Sequence, residues 1–198
     1  MFMDENNKVC YGCDQEWYPT EWQKKSGCGP TTACNMLLCL NFLRLNGGTD
    51  IKKNNKESGL LLMEEVWKYI TPSENGIPAT EIFCQNFDDY FKAKGQKILC
   101  HSMDIPKEEN LRPNFTDVVN FIEEAMQLDS PVAFLNLCNG EVKLLDRWHW
   151  VIIVSIKFDE NGNAGNIEII DEGLIKTIDF TLWYNTTKLG GGLAYITV

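Results

Sequence analysis

The hydrophobic pattern of this chain changes its period near residue 130, and this change constrains the fold more than any other feature of the sequence. Ahead of it, apolar residues recur at helical spacing over residues 27–45, 59–70 and 80–94, and again from Thr116. After it, short segments rich in β-branched residues are separated by turn residues. Four helices followed by antiparallel strands are therefore predicted, which is an α+β fold.

One short strand is predicted ahead of the fourth helix, and the half after residue 130 divides into further short strands. Predicted strands occupy residues 97–103, 131–137, 141–145, 148–156, 166–171, 174–178 and 193–198. Asn139-Gly140 is a strong signal for a two-residue hairpin between the second and third of these, and residues 159–163 predict a turn after the fourth. Residues 181–184 predict a helical turn. A length of 198 residues, 44% of them hydrophobic, fits one domain over residues 1–198 with a well-filled core.

The charge of the chain restricts its partners. Eighteen Lys and Arg residues against 28 Asp and Glu residues give a net charge of −10. Nucleic acid and anionic membrane surfaces bind proteins through clustered Lys and Arg side chains, so neither is an expected partner. A peptide or protein substrate is expected instead. No cofactor and no metal ion is expected, and the oligomeric state does not follow from the sequence.

The expected location is the cytoplasm. The first residues are polar and acidic and lack the basic and apolar regions of a signal peptide. The apolar stretches are too short and too interrupted to cross a bilayer. Secretion remains open if a signal peptide precedes this sequence.

The eight cysteines are expected to be mostly reduced. Cys34 and Cys39 fall inside the first predicted helix and Cys84 inside the third, where a thiol acts as a small buried hydrophobic group. A chain that can bury a sizeable core does not need disulfides, which favours a reducing compartment. Cys10 and Cys13 form one Cys-x-x-Cys pair. Half a zinc site, a redox dithiol and two ordinary cysteines are all open readings, and the last is favoured.

Cys28 is the candidate nucleophile. It stands in Ser26-Gly27-Cys28-Gly29-Pro30-Thr31, directly ahead of the apolar residues of the first helix. Unpaired N–H groups and the helix dipole at a helix start favour a thiolate. A single cysteine at such a position is more often structural, so the functional reading depends on suitable partners elsewhere in the sequence.

Three residues supply those partners. His149 lies in a predicted strand as the candidate general base and acid, and Asp171, at the end of the next strand, is the candidate group that orients its ring. A hairpin between these strands would bring the two side chains together. Gln23 precedes Cys28 by five residues and is the candidate oxyanion donor, together with the Cys28 backbone N–H.

Other residues have a more ordinary reading. Asp146 is the alternative to Asp171, but its spacing from His149 favours a surface charge. His101 is expected to be structural or near the substrate rim. Trp148 and Trp150 flank His149 in the predicted strand and are expected to pack in the core.

The order of these motifs resembles that of the papain-like cysteine peptidases. The resemblance is carried by Gln23, Cys28-Gly29-Pro30-Thr31, His149-Trp150-Val151-Ile152-Ile153 and Ile170-Asp171. More narrowly, the set is similar to the C39-like branch, which is related to bacteriocin-processing peptidase domains. It extends from about residue 16 to the C-terminus and is weakest over residues 46–115. Gly27 and Glu172 depart from the family pattern, which has a polar residue and a proline at these positions.

The resemblance implies a papain-like fold, in which the helix of Cys28 packs on a C-terminal antiparallel sheet. It also implies a triad of Cys28, His149 and Asp171 with Gln23 in the oxyanion hole. The expected reaction is hydrolysis of a peptide or amide bond through a thioester. Two alternatives stay open: acyl transfer or deamidation at the same site, and a degenerate peptidase that binds a peptide without cutting it.

Overall fold

The chain has an α+β fold, as the change of hydrophobic period predicts. The computed structural model describes residues 2–3, 9–40, 55–159 and 164–197. Its helices are α1 (Glu21–Ser26), α2 (Cys28–Cys39), α3 (Lys56–Trp67), α4 (Thr80–Ala93), α5 (Phe115–Gln127) and α6 (Phe180–Thr186). Its strands are β1 (Phe2–Met3), β2 (Val9–Cys10), β3 (Leu99–Ile105), β4 (Val132–Asn136), β5 (His149–Phe158), β6 (Ala164–Asp171), β7 (Leu174–Asp179) and β8 (Gly191–Thr197).

The main sheet has six strands in the order β3-β8-β4-β5-β6-β7, and every neighbouring pair is antiparallel. A separate pair joins β1 and β2. Strand β4 is buried along its whole length, and β5 has a hydrogen-bonded neighbour on each side. The backbone of His149, the first residue of β5, is therefore held in the interior of the sheet, on the strand between β4 and β6.

Alternate residues of the sheet face two separate cores. On β5, Trp150 and Ile152 join a cluster with residues of α2, α3 and α4. Val151 and Ile153 join a second cluster with residues of α5 and α6. This alternation is the period-two pattern of a strand with both faces covered. Helices thus cover both faces of the sheet.

Helix α2 is nearly encircled by the rest of the protein. Residues 29–37 are all buried, and the helix packs against β5, β4 and α3. Pro30 lies in the first turn, where its missing N–H has no cost. Gly29 is closely packed, since a Cβ there would lie 2.7 Å from Ile77 Cδ1. The predicted continuation of this helix beyond residue 40 and its stop at residues 47–48 lie outside the described residues.

The predicted strand over residues 141–145 is wrong. Residues 137–148 form turns, and β4 pairs directly with β5. The amide of Val142 donates to the carbonyl of Asn139 at 3.0 Å, which makes a turn but no hairpin. Val142 and Leu145 are nevertheless buried in the second core. Their side chains fill the core from a loop, and this produces a strand-like sequence pattern without a strand.

The expectation that Cys84 is a reduced buried thiol is also wrong. Cys84 on α4 and Cys100 on β3 form a disulfide across 16 residues of sequence. Cys34 is fully buried, as expected, whereas Cys39 is exposed at the end of α2. Over the described ranges, none of the helices has the length and apolar character needed to cross a membrane.

Candidate functional site

The chain brings Cys28, His149 and Asp171 together at one cavity. The cavity has a volume of about 170 Å³ and lies between the start of α2, the start of β5, the end of β6 and the segment of residues 13–16. Cys28 is partly exposed there, while Asp171 is only 5% exposed. These three residues come from widely separated parts of the sequence, so their meeting follows from the packing of α2 on β5.

His149 and Asp171 form a direct hydrogen bond. Nε2 of the His149 ring lies 2.8 Å from Oδ1 of Asp171. The hairpin of β5 and β6 produces this contact, because Ile152 pairs with Ile170 and the two strand ends then lie side by side. The sequence-based expectation that this hairpin joins the two residues is confirmed. The bond leaves Nδ1 as the second nitrogen of the ring.

The electrostatic surroundings favour a protonated His149. Burial alone lowers the pKa of the imidazole, but hydrogen bonds and charges from Asp171 and Cys28 outweigh it and raise the pKa to about 10. Burial alone raises the pKa of the Asp171 carboxyl, but His149 and then Lys176 outweigh it and hold that pKa below its usual value. The pair is therefore set up as an imidazolium facing a carboxylate.

Lys176 completes the support of Asp171. Its Nζ lies 2.7 Å from Oδ2 of Asp171 and 2.9 Å from Oε2 of Glu172. Asp171 thus has one oxygen bonded to His149 and the other bonded to Lys176, which fixes the plane of the carboxylate. Burial lowers the pKa of Lys176, but its bonds to the two carboxylates raise it overall. The sequence analysis did not single out this lysine.

Gln23 lies on α1 and is 8% exposed. Its Oε1 accepts a hydrogen bond from the Thr20 hydroxyl, and its Nε2 donates to Oε1 of Glu64 on α3, each at 2.9 Å. A carboxylate can only accept, so these partners fix which end of the amide faces which way. One N–H of the amide is thus bonded to Glu64, the other has no acceptor among the described residues, and Gln23 is not one of the residues that line the cavity.

The two tryptophans beside His149 differ. Trp150 is buried, as expected, donates from Nε1 to the carbonyl of Ile77 at 2.8 Å and stacks on Phe83 with ring centroids 4.5 Å apart. Trp148 is 58% exposed, so the expectation that it packs in the core is wrong. Its φ of 54° places it just before β5 in the left-handed region, where the alternation of a strand does not hold.

The two remaining candidates, Asp146 and His101, do not bond to the His149 ring. Asp146 is exposed and lines the cavity, but the His149 ring bonds to Asp171. His101 stacks on Tyr195 with ring centroids 4.5 Å apart and bonds through Nε2 to the Thr197 hydroxyl. This position fits the structural reading of His101.

The Cys-x-x-Cys pair does not act as an isolated unit. The sulfur of Cys13 lies 3.4 Å from the sulfur of Cys34 on α2, and both residues are fully buried. Within the described part of the chain, no three His, Cys, Asp or Glu side chains are grouped to hold a metal ion.

Sequence reasoning missed two supporting residues, Lys176 and Glu64. A signal existed for Lys176, because the turn at Glu172-Gly173 pairs Asp171 with Leu174. Side chains two positions apart share one face of a strand, so Lys176 lies on the same face as Asp171. No comparable signal existed for Glu64, which lies 41 residues from Gln23.

No protein-family model matches this chain, and neither does any curated protein sequence. The resemblance to papain-like cysteine peptidases therefore rests on the sequence motifs alone.

Proposed function

We propose that this protein is a cysteine peptidase of the papain-like, C39-like type, which hydrolyses a peptide or amide bond through a thioester on Cys28. The observation that carries the proposal is the 2.8 Å bond between His149 Nε2 and Asp171 Oδ1, in a cavity that Cys28 also lines. A nucleophile, a base and a group that orients the base form the minimal set for this chemistry.

In the first half of the reaction, the Cys28 thiolate attacks the carbonyl carbon of the substrate. The carbonyl oxygen becomes an oxyanion, and the N–H groups at the start of α2, which have no intrahelical carbonyl partner, are suitable donors to it. Gln23 is proposed as a second donor through the N–H that does not bond to Glu64. As the C–N bond breaks, His149 gives its proton to the leaving amine, and the acyl group stays on sulfur.

In the second half, a water molecule attacks the thioester carbon, and His149 takes one proton from that water. The C–S bond then breaks and releases a carboxylic acid, which restores the thiolate and the imidazolium. Asp171 keeps the ring in one orientation and stabilises its charge during both halves. Lys176 holds Asp171 in turn, so it is a positioning residue and touches no reacting atom.

The proposed compartment stays the cytoplasm, as the sequence analysis expects, and the Cys84–Cys100 disulfide counts against it. That prediction rested on reduced cysteines, and disulfides such as Cys84–Cys100 persist mainly in oxidising compartments.

The proposal is tested with a peptide library incubated in water labelled with heavy oxygen. We expect new C-termini that carry the label with the parent protein, and at least about a 10³-fold loss with Cys28→Ala. Cys39→Ala is the matched control, because Cys39 is an exposed cysteine at the other end of the same helix. Equal product from the parent and Cys28→Ala, or no product from either, would contradict the proposal.

The same experiment separates hydrolysis from its chemical alternatives. With glycinamide added as an amine acceptor, an acyltransferase yields amide adducts in place of labelled C-termini. A deamidase leaves the peptide backbone intact and converts glutamine side chains into glutamate that carries the label, with release of ammonia. Hydrolysis predicts labelled C-termini as the main product in both conditions.

A further inference from the structure

We infer that the cavity beside Cys28 selects substrates with a cationic side chain, lysine or arginine, next to the bond that is attacked. This inference rests on the proposed function, since it names the substrate class for the same site. It follows from the charges of the cavity lining, from a buried hydroxyl in its wall and from its dimensions.

The cavity lining is strongly acidic. Five carboxylate residues line it: Asp14, Glu16, Asp146, Asp171 and Glu172. Asp171 and Glu172 are bonded to Lys176, and Asp171 also serves His149. The other three form no salt bridge with any residue in the described part of the chain. Their negative charge is therefore available to a ligand.

The surroundings of Asp14 raise the pKa of its carboxyl group. Burial raises the pKa of its carboxyl, and the negative charges of Glu172 and Asp171 raise it further, although the Glu16 N–H and Lys56 oppose this. A cation placed among these carboxylates would be attracted by all of them. An anionic side chain in the same place would be repelled.

A second observation points to a ligand independently of charge. Gln15 and Thr31 line the cavity, and Oε1 of Gln15 and the hydroxyl of Thr31 are buried without a hydrogen-bond partner among the described residues. Thr31 is only 7% exposed and follows Cys28 by three positions on α2, so the two side chains share one face of the helix. Buried hydroxyls normally have a partner, and a substrate group entering beside Cys28 would supply one.

The size and the walls of the cavity suit a long basic side chain. A cavity of about 150 Å³ holds a benzene ring in another protein, and this one is of similar volume, about 170 Å³. Buried Trp150 and Ile170 provide apolar wall, while exposed Glu16 and Asp146 stand at the rim. Lysine and arginine combine an apolar stem with a charged end, which matches this arrangement.

Protection of Cys28 from alkylation tests the inference without any turnover. The probes are N-butylguanidine, which is cationic, and N-butylurea, which is nearly isosteric and neutral. Iodoacetamide is the reagent, because it is uncharged and does not itself respond to the acidic rim. Mass spectrometry reads the modification of Cys28 separately from that of the other cysteines. We expect butylguanidine to slow the Cys28 reaction about tenfold more than butylurea does at the same concentration.

Variants of the rim identify the source of the effect. Asp14→Asn with Asp146→Asn should abolish the difference between the probes, and asparagine keeps the cap that Asp14 gives to the Glu16 N–H. Glu108→Gln with Glu109→Gln is the matched control, because it removes the same charge from exposed positions outside the cavity. Asp146→Asn alone, at an exposed position, gives a second reading if the double variant does not fold.

Equal protection by the two probes, or undiminished protection in the rim variants, would overturn the inference. Its failure is distinct from failure of the proposed function. If labelled C-termini depend on Cys28 while the probes protect equally, the peptidase stands and only its preference for basic residues falls. If the probes differ but Cys28→Ala retains product formation, the cavity binds cations without being the active site.

Discussion

At the scale of single residues, the central group is the imidazole of His149. Asp171 binds one ring nitrogen, and Cys28 interacts with the same ring. The two partners outweigh the effect of burial on its pKa. The chain has only two histidines, so the ionisation of this ring can be followed directly.

Asp171→Asn should lower the pKa of His149 from about 10 toward the ordinary histidine value of about 6.5, because the carboxylate that stabilises the imidazolium is lost. An NMR titration of the ring protons measures this shift. His101 is the internal reference, since its ring contacts Thr197 and Tyr195, and its signals should overlay in the two proteins. An unchanged titration of His149 would show that Asp171 does not act on it.

Lys176→Met should reduce kcat by about three- to tenfold with little change in KM, because Asp171 loses the partner of its second oxygen. The pH profile should change as well. The pKa of Asp171 is held low, so its ionised form is present above the usual carboxyl value and is lost as the pH falls. Without Lys176 that pKa rises, and activity is lost on the acid side at a higher pH.

Lys157→Met is the control for this variant. Lys157 also pairs with a carboxylate across two strands, since its Nζ lies 2.6 Å from Oε1 of Glu168, but the pair is on the exposed part of the sheet. Its removal should leave the acid limb in place. Superimposable acid limbs in all three proteins would contradict the role given to Lys176.

The three triad residues could be predicted from the sequence, but the residues that hydrogen-bond to the candidate site residues, Lys176 and Glu64, were not predicted. Cys28, His149 and Asp171 stand in informative contexts: a helix start, a strand and the end of the next strand. The amide of Gln23 is different. Its bond to Glu64 crosses from α1 to α3, and no local pattern encodes a contact of that kind.

At the scale of elements, helix and strand patterns gave bounds of similar accuracy: the strand predicted over residues 174–178 is Leu174–Asp179 in β7, and the helix predicted over residues 59–70 is Lys56–Trp67 in α3. The prediction of a helix over residues 80–94 is matched by Thr80–Ala93 in α4. The predicted strand at residues 141–145 is wrong, because Val142 and Leu145 are buried from a loop and give the sequence a strand-like pattern. Asn139-Gly140 does make a turn, but β4 has already ended at Asn136.

The disulfide between α4 and β3 is an element-scale contact that spacing alone did not reveal. Replacing both cysteines, with Cys84→Ser and Cys100→Ser, should lower the free energy of unfolding by about 2–4 kcal/mol. Denaturant unfolding with and without a reductant measures this. The reductant should destabilise the parent and have no such effect on the variant. Equal stability of the parent in both conditions would contradict a structural role for the bond.

At the scale of the whole molecule, the α+β arrangement followed from the order of the periodicities. The second helical layer did not. Helix α5 was predicted, but nothing in its sequence shows that it covers the face of the sheet opposite α2. The choice of face depends on how the chain crosses the sheet, which is a property of the assembled fold.

The same assembly creates the site. Cys28 belongs to the helical layer, whereas His149 and Asp171 belong to the sheet. The proposed site therefore depends on the packing of α2 against β5, and the reactivity of the Cys28 sulfur reports that packing.

The rate of alkylation of Cys28 against pH, in the parent and in His149→Ala, tests that meeting most directly. Mass spectrometry follows Cys28 separately from the other cysteines. An ion pair predicts that Cys28 of the parent is modified much faster than Cys28 of the variant at the acid end of the profile, because the imidazolium keeps the sulfur in its reactive form. Superimposed profiles of the two proteins would contradict the pairing of Cys28 with His149, and with it the proposed peptidase.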